Sequence, residues 1–109
     1  MAYFYAWLIA FAFTQMVEVP IYSVGLRVGV LPAFGASAIT HPILWFVIFP
    51  YLPLSYFWLL VLGESFALLV EAAYFAFAFR LRRALLWSAL ANGASFGTGM
   101  LSRWLFGVP

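Results

Sequence analysis

Apolar residues run almost unbroken through four stretches of the chain, about residues 2–24, 32–52, 56–79 and 84–105, and the turn-forming and basic residues fall mainly between them. The first stretch ends at GLRVG, Gly25 to Gly29, the third at the basic RLRR, Arg80 to Arg83, and the fourth just before Gly107 and Pro109. Each has about the ~20 residues that a helix rising ~1.5 Å per residue needs to cross the ~30 Å hydrocarbon core of a bilayer. The second stretch carries Pro32, Pro42, Pro50 and Pro53, each of which removes a backbone donor or restricts the residue before it. With Pro32 in its first turn the helix reaches Leu52 and kinks at Pro42. With Ser37 or Thr40 as its cap it is short, and the preceding loop dips into the bilayer. The pattern predicts an all-α, integral membrane four-helix bundle with short loops, its second helix Pro-kinked or partly re-entrant, and a single transmembrane domain over residues 1–109.

Composition agrees, since 68% of the 109 residues are hydrophobic and 7% charged, against roughly 45–50% and ~25% in a soluble domain. A secretory leader is not expected: the first Arg is Arg27, and the opening apolar run already contains Glu18, although Ala36-Ser37-Ala38 resembles a cleavage site. The net charge of +2 comes from five Arg and three Glu, too few and too scattered for a nucleic-acid surface. The absence of cysteine excludes thiol chemistry.

Four crossings put Arg27, Arg80, Arg82 and Arg83 on one side and Arg103 on the other, which predicts an inner-membrane protein with the first group cytoplasmic and both termini outside. Arg80, Arg82 and Arg83 are expected to meet lipid headgroups. Aromatic belts are expected from Tyr3, Tyr5, Trp7, Tyr51, Tyr56, Trp58 and Trp104 at the outer face and from Tyr22, Tyr74 and Trp87 at the inner one.

Against this apolar background the polar residues stand out, and at ~1.5 Å of rise per residue many fall at one depth. Glu18 lies in the first stretch, His41 in the second, Glu71 in the third, and Ser88 and Asn92 in the fourth, all toward the arginine-rich end. Glu64, two turns before Glu71 in GESFALLVEA, shares a helix face with it but sits nearer the middle or outer half. Ser88, Asn92, Ser95, Gly99 and Ser102 form one seam on the fourth helix, and Ala6, Ala10, Thr14 and Glu18 form another on the first, with Gln15 and Tyr22 adjacent. Small and polar seams of this kind let helices approach and hydrogen-bond in lipid. Ala89, Gly93 and Gly97 make a second small-residue row on another side of the fourth helix, facing the first helix or a neighbouring protomer.

A single intramembrane Glu can stay protonated as a neutral hydrogen-bonding group, but three Glu and a His within one small bundle point to binding or exchange. Glu18, His41 and Glu71 are the candidate ion- or metal-binding residues. Gln15, Thr40, Glu64, Ser88, Asn92 and Ser95 are their candidate supporting or path residues. Carboxylate and imidazole suit a divalent metal ion as well as a proton relay, yet no Glu-x-x-His or His-Glu-x-x-His spacing is present to name a metalloenzyme. Three functional classes follow: a homo-oligomer binding or moving a proton or divalent cation, a membrane-embedded enzyme for a lipid or small apolar substrate, and an accessory subunit of a larger membrane complex.

Overall fold

The computed structural model describes residues 1–107 and contains four helices. They are α1 (Ala2–Gly25), α2 (Val30–Ile43), α3 (Tyr56–Ala73) and α4 (Ala84–Phe106). A π-helical stretch, Leu44–Ile48, and a 3-10 turn, Phe49–Tyr51, continue α2, while a π-helical stretch, Tyr74–Ala78, continues α3. The connections are short, so successive helices run antiparallel. α4 packs against α1 and α3, and α2 packs against the same two from the other side, which closes a four-membered bundle of 36 × 27 × 23 Å.

Prolines shape these helices without breaking them. Pro20 lies inside α1 and Pro42 inside α2, because in an apolar setting the helix remains the conformation that satisfies most of the neighbouring backbone groups. Pro32 occupies the first turn of α2, where its missing N–H is no loss, so the long form of the second helix is the one that folds and the re-entrant form is not. Ahead of Pro50, the N–H of Phe49 reaches back five residues to the Leu44 carbonyl, which gives the end of this helix its wider turn. Left-handed residues end three of the helices. Arg27 at φ 57° follows α1, Arg80 at φ 55° follows α3, and Gly107 at φ 75° closes α4 by returning its N–H to the Arg103 carbonyl.

Inside and outside are chemically inverted relative to a water-soluble bundle. The buried polar set is Gln15, Glu18, Ser37, Thr40, Glu71, Ser88, Asn92 and Ser95, and six of the ten buried apolar residues are alanines. Leu8, Ile9, Met16, Leu31, Phe77 and Trp104 point outward. Three helical segments, Ala2–Gly25, Val30–Tyr51 and Tyr56–Ala78, are long and apolar enough to cross a membrane. α4 has the length, but the Ser, Asn, Thr and Gly positions that let it pack inside the bundle leave it less apolar than those three. The chain is a small integral membrane protein.

The two ends differ in packing. At the arginine-bearing end, Tyr22, Leu26, Ala33, Ala36, Phe75, Ala84 and Ala91 form the apolar core. The Trp87 ring lies against Gly25 so closely that a Cβ there would come within 2.3 Å of it. At the opposite end Tyr3 donates to the Trp45 carbonyl at 2.5 Å, and Arg103 donates to the Tyr56 hydroxyl at 2.7 Å.

Candidate functional site: a buried carboxyl pair beneath a cavity

Glu18 and Glu71 project into the bundle from α1 and α3, and each is only 1% exposed. Ser37 of α2 donates to Glu18 Oε1 at 2.6 Å, and Ser95 of α4 donates to Oε2 at 2.5 Å. Glu71 Oε1 accepts from Tyr22 of α1 at 2.6 Å and from Asn92 Nδ2 of α4 at 3.2 Å, and Thr40 of α2 donates to Oε2 at 2.7 Å. Every oxygen of the pair is therefore occupied, with Glu18 held from α2 and α4 and Glu71 from α1, α2 and α4. The two carboxyls are joined through α4, where Ser95, the donor to Glu18, also reaches the carbonyl of Asn92, the donor to Glu71, at 3.2 Å.

The donors are themselves held in place. Asn92 Nδ2 also reaches the Ser88 carbonyl one turn earlier at 2.9 Å, and Ser88 Oγ donates to the Leu68 carbonyl at 2.7 Å, tying α4 to α3 directly beside Glu71. Tyr22 is wholly buried against Phe75, with ring centroids 4.5 Å apart, which aims its hydroxyl at Glu71. Gln15 Nε2 donates to the Phe34 carbonyl at 3.0 Å, one helical turn from Glu18.

A cavity of about 350 Å³ extends from this pair toward the end where α1 begins and α4 ends. Glu18, Glu71, Asn92 and Ser95 lie at its deep end, His41 and Glu64 line it, Trp45 and Phe49 supply apolar wall, and Tyr3, Tyr56 and Arg103 stand at its far end. His41 pairs through Nε2 with Thr14 Oγ1 at 3.3 Å, while its buried Nδ1 has no partner. Glu64 is half-buried and also borders a second cavity, between α3 and α4.

Glu18 and Glu71 thus share one buried network, whereas His41 shares their cavity but bonds to Thr14 and to neither carboxyl. Thr40, Ser88, Asn92 and Ser95 lie in the network, Gln15 bonds outside it to the Phe34 carbonyl, and Glu64 stands apart. Among the described residues, no three His, Asp or Glu side chains form a group able to hold a metal ion. Arg80, Arg82 and Arg83 are exposed at the junction of α3 and α4.

One residue assigned to an inner aromatic belt requires correction. Tyr22 is a fully buried partner of the Glu71 carboxyl, whereas Tyr74, which donates to the Pro32 carbonyl at 3.0 Å, and Trp87, which packs on Gly25, are only partly buried at that end. Reading the sequence for function also missed Ser37, which was weighed as a helix cap and within a cleavage-like tripeptide but not as a site residue. The signal for Tyr22 was its position four residues after Glu18 on the same face of α1, and for Ser37 its place one turn before Thr40 on α2. Compared with known protein families, characterised proteins and solved structures, the chain matches none.

Proposed function

We propose that this protein binds and exchanges a cation, foremost a proton, at the Glu18–Glu71 pair, and reaches it through the cavity from the membrane face opposite the arginine-bearing loops. The observation that carries the reading is a pair of carboxyls buried at the floor of one cavity, joined through Asn92 and Ser95 of α4 and held by donors from α1, α2 and α4. Two adjoining carboxyls in a poorly solvated place favour sharing one proton, and such a pair titrates as a unit. A proton needs no further ligands, which suits a site whose oxygens are already engaged. A divalent metal would need several oxygens released from Ser37, Ser95, Tyr22 and Thr40.

In this reading α4 also crosses the membrane, with its polar seam turned inward and the four-to-one arginine split placing both termini outside the cytoplasmic membrane. The protein works as a homo-oligomer. Support comes from Gly93 and Gly97 on α4, where an added Cβ would meet nothing within 4 Å, leaving the Ala89, Gly93 and Gly97 row open to a second copy.

Proteoliposomes loaded with a pH-sensitive dye, with a potassium diffusion potential as the driving force, test the chemistry. Glu71→Gln and Glu18→Gln are expected to remove most of the proton flux while Arg82→Gln leaves it near that of the unaltered protein. Equal fluxes in all three variants would reduce the pair to a structural lock. Cysteine labelling in right-side-out vesicles tests the topology, with position 2 expected to react with an impermeant reagent and position 28 expected to be protected.

A further inference from the structure

The three glutamates do not have equivalent surroundings. Glu18 and Glu71 have both oxygens occupied by protein donors. Glu64, two turns earlier on α3, has no hydrogen-bond donor among the described residues, although it lines the same cavity. An ionised carboxylate at membrane depth without a donor or counter-charge is costly, so such a group marks a place where something else supplies the donor. The one cation lining the cavity does not, because Arg103 is engaged with Tyr56 by a 2.7 Å hydrogen bond and by its guanidinium lying 5.4 Å from the centre of that ring.

The wall beside Glu64 is aromatic. A Cβ at Gly63 would come within 2.9 Å of Phe49 Cζ, so the absence of a side chain there brings the Phe49 ring against the α3 backbone next to the free carboxyl. The His41 and Trp45 rings stack at 17° with centroids 6.1 Å apart, and Leu44, Leu59 and Leu60 fill the rest of that wall. The volume of about 350 Å³ lies within the roughly 300–1,000 Å³ of small-molecule sites and far exceeds the needs of a bare ion. Aromatic faces attract cations, and a carboxylate accepts from N–H donors with charge assistance.

We propose that the cavity is a binding site for a protonated organic amine, whose ammonium group donates to the Glu64 carboxylate and whose apolar body rests against Phe49, Trp45 and Leu60. This inference rests on the reading of the cavity as the route to the carboxyl pair, and it gives that route a second occupant. An amine on Glu64 lies within electrostatic reach of Glu71, so its arrival and the release of the shared proton are coupled. Glu64 is then the residue that meets substrate, and Glu18 and Glu71 hold the exchanging proton.

The test uses the detergent-solubilised full chain and a matched pair of probes, 2-phenylethylamine, charged at pH 7, and 2-phenylethanol, its neutral counterpart, titrated by tryptophan fluorescence and calorimetry. The amine is expected to bind at least about tenfold more tightly than the alcohol, the scale of one hydrogen bond to a charged group. Glu64→Gln should remove that preference, Glu64→Asp should retain much of it, and Leu60→Trp, which fills the cavity, should weaken both probes. Equal binding of the two probes, no binding of either, or a preference that survives Glu64→Gln would each overturn the proposal. Should Glu64→Gln fail to fold, Leu60→Trp and Glu64→Asp carry the test: amine binding unchanged by Leu60→Trp puts the amine elsewhere. Proton flux lost in Glu71→Gln without amine binding would leave the proton site standing alone. Amine binding through Glu64 with flux intact in Glu71→Gln would remove the proton reading and leave the amine site.

Discussion

The two ends of the bundle are built on opposite plans. At the arginine-bearing end Tyr22 and Phe75 are fully buried, Ala84 is 2% exposed and the Trp87 ring closes on Gly25. At the other end Tyr51 and Trp104 are 78% and 81% exposed, and the space between the helices is open for about 350 Å³. The Glu18–Glu71 pair sits where the two plans meet. Close packing on one side holds the donors in register, and the cavity on the other leaves open space beside the carboxyls. A polar site in a membrane needs both, because donors must stay aimed at the carboxyls while a route to them remains.

The strongest test of that contrast compares Glu71 with Glu64. Glu71→Ala leaves the donors of Tyr22, Thr40 and Asn92 buried without their acceptor, and the expected loss is roughly 3–5 kcal/mol, since each unsatisfied group costs ~1–3 kcal/mol and partial relaxation recovers some of it. Glu64→Ala removes a carboxyl that accepts no protein bond and is expected to cost under about 1 kcal/mol. Thermal unfolding in detergent reads both, and similar losses would erase the distinction between a locked and a free carboxyl.

Next in size are glycine substitutions at the two ends. Gly25→Ala drives a methyl into the Trp87 ring and should cost about 1–3 kcal/mol, whereas Gly93→Ala, with open space around its Cβ, should leave the monomer's melting temperature unchanged or slightly higher. Crosslinking of the same Gly93 variant tests the outward face, and a loss of dimer at unchanged monomer stability is expected there. Asn92→Ala should cost about 1–2 kcal/mol, since Glu71 Oε1 keeps Tyr22. An effect as small as that of exposed Thr98→Val in the same melt would separate α4 from the carboxyl network.

The smallest expected effect lies in the loop. Arg80 holds a left-handed φ of 55° that costs a non-glycine residue roughly 1 kcal/mol, so Arg80→Gly should raise stability by up to about that amount while leaving proton flux unchanged. A fall in melting temperature would show that the Arg80 side chain contributes more than its backbone costs.

Particular residues show how far the sequence reached. Four helices near 2–24, 32–52, 56–79 and 84–105 were legible because helix formation is local, and because a bilayer allows few other ways to satisfy the backbone. The observed helical segments, 2–25, 30–51, 56–78 and 84–106, differ from these by at most two residues at any end. Asn92 and Ser95 were legible as a seam through their spacing on one helix. Tyr22 was misread, since a tyrosine near a helix end suits an interfacial belt as well as a buried hydroxyl, and only the position of Phe75 across the bundle distinguishes them.

What the sequence determined by itself is therefore the membrane class, the four helical segments and the set of polar residues turned toward the arginine-rich end. Each follows from local composition and from a rise of ~1.5 Å per residue. Tertiary structure alone decided which carboxyl is locked and which is free. Glu18, Glu64 and Glu71 look alike in the chain, but Ser37, Ser95, Thr40 and Asn92 come from other helices and reach only two of them. The physical reason lies in the apolar surroundings: helices apolar nearly all round carry little record of which face turns inward, so their rotation and partners are set by long-range packing and by hydrogen bonds between helices.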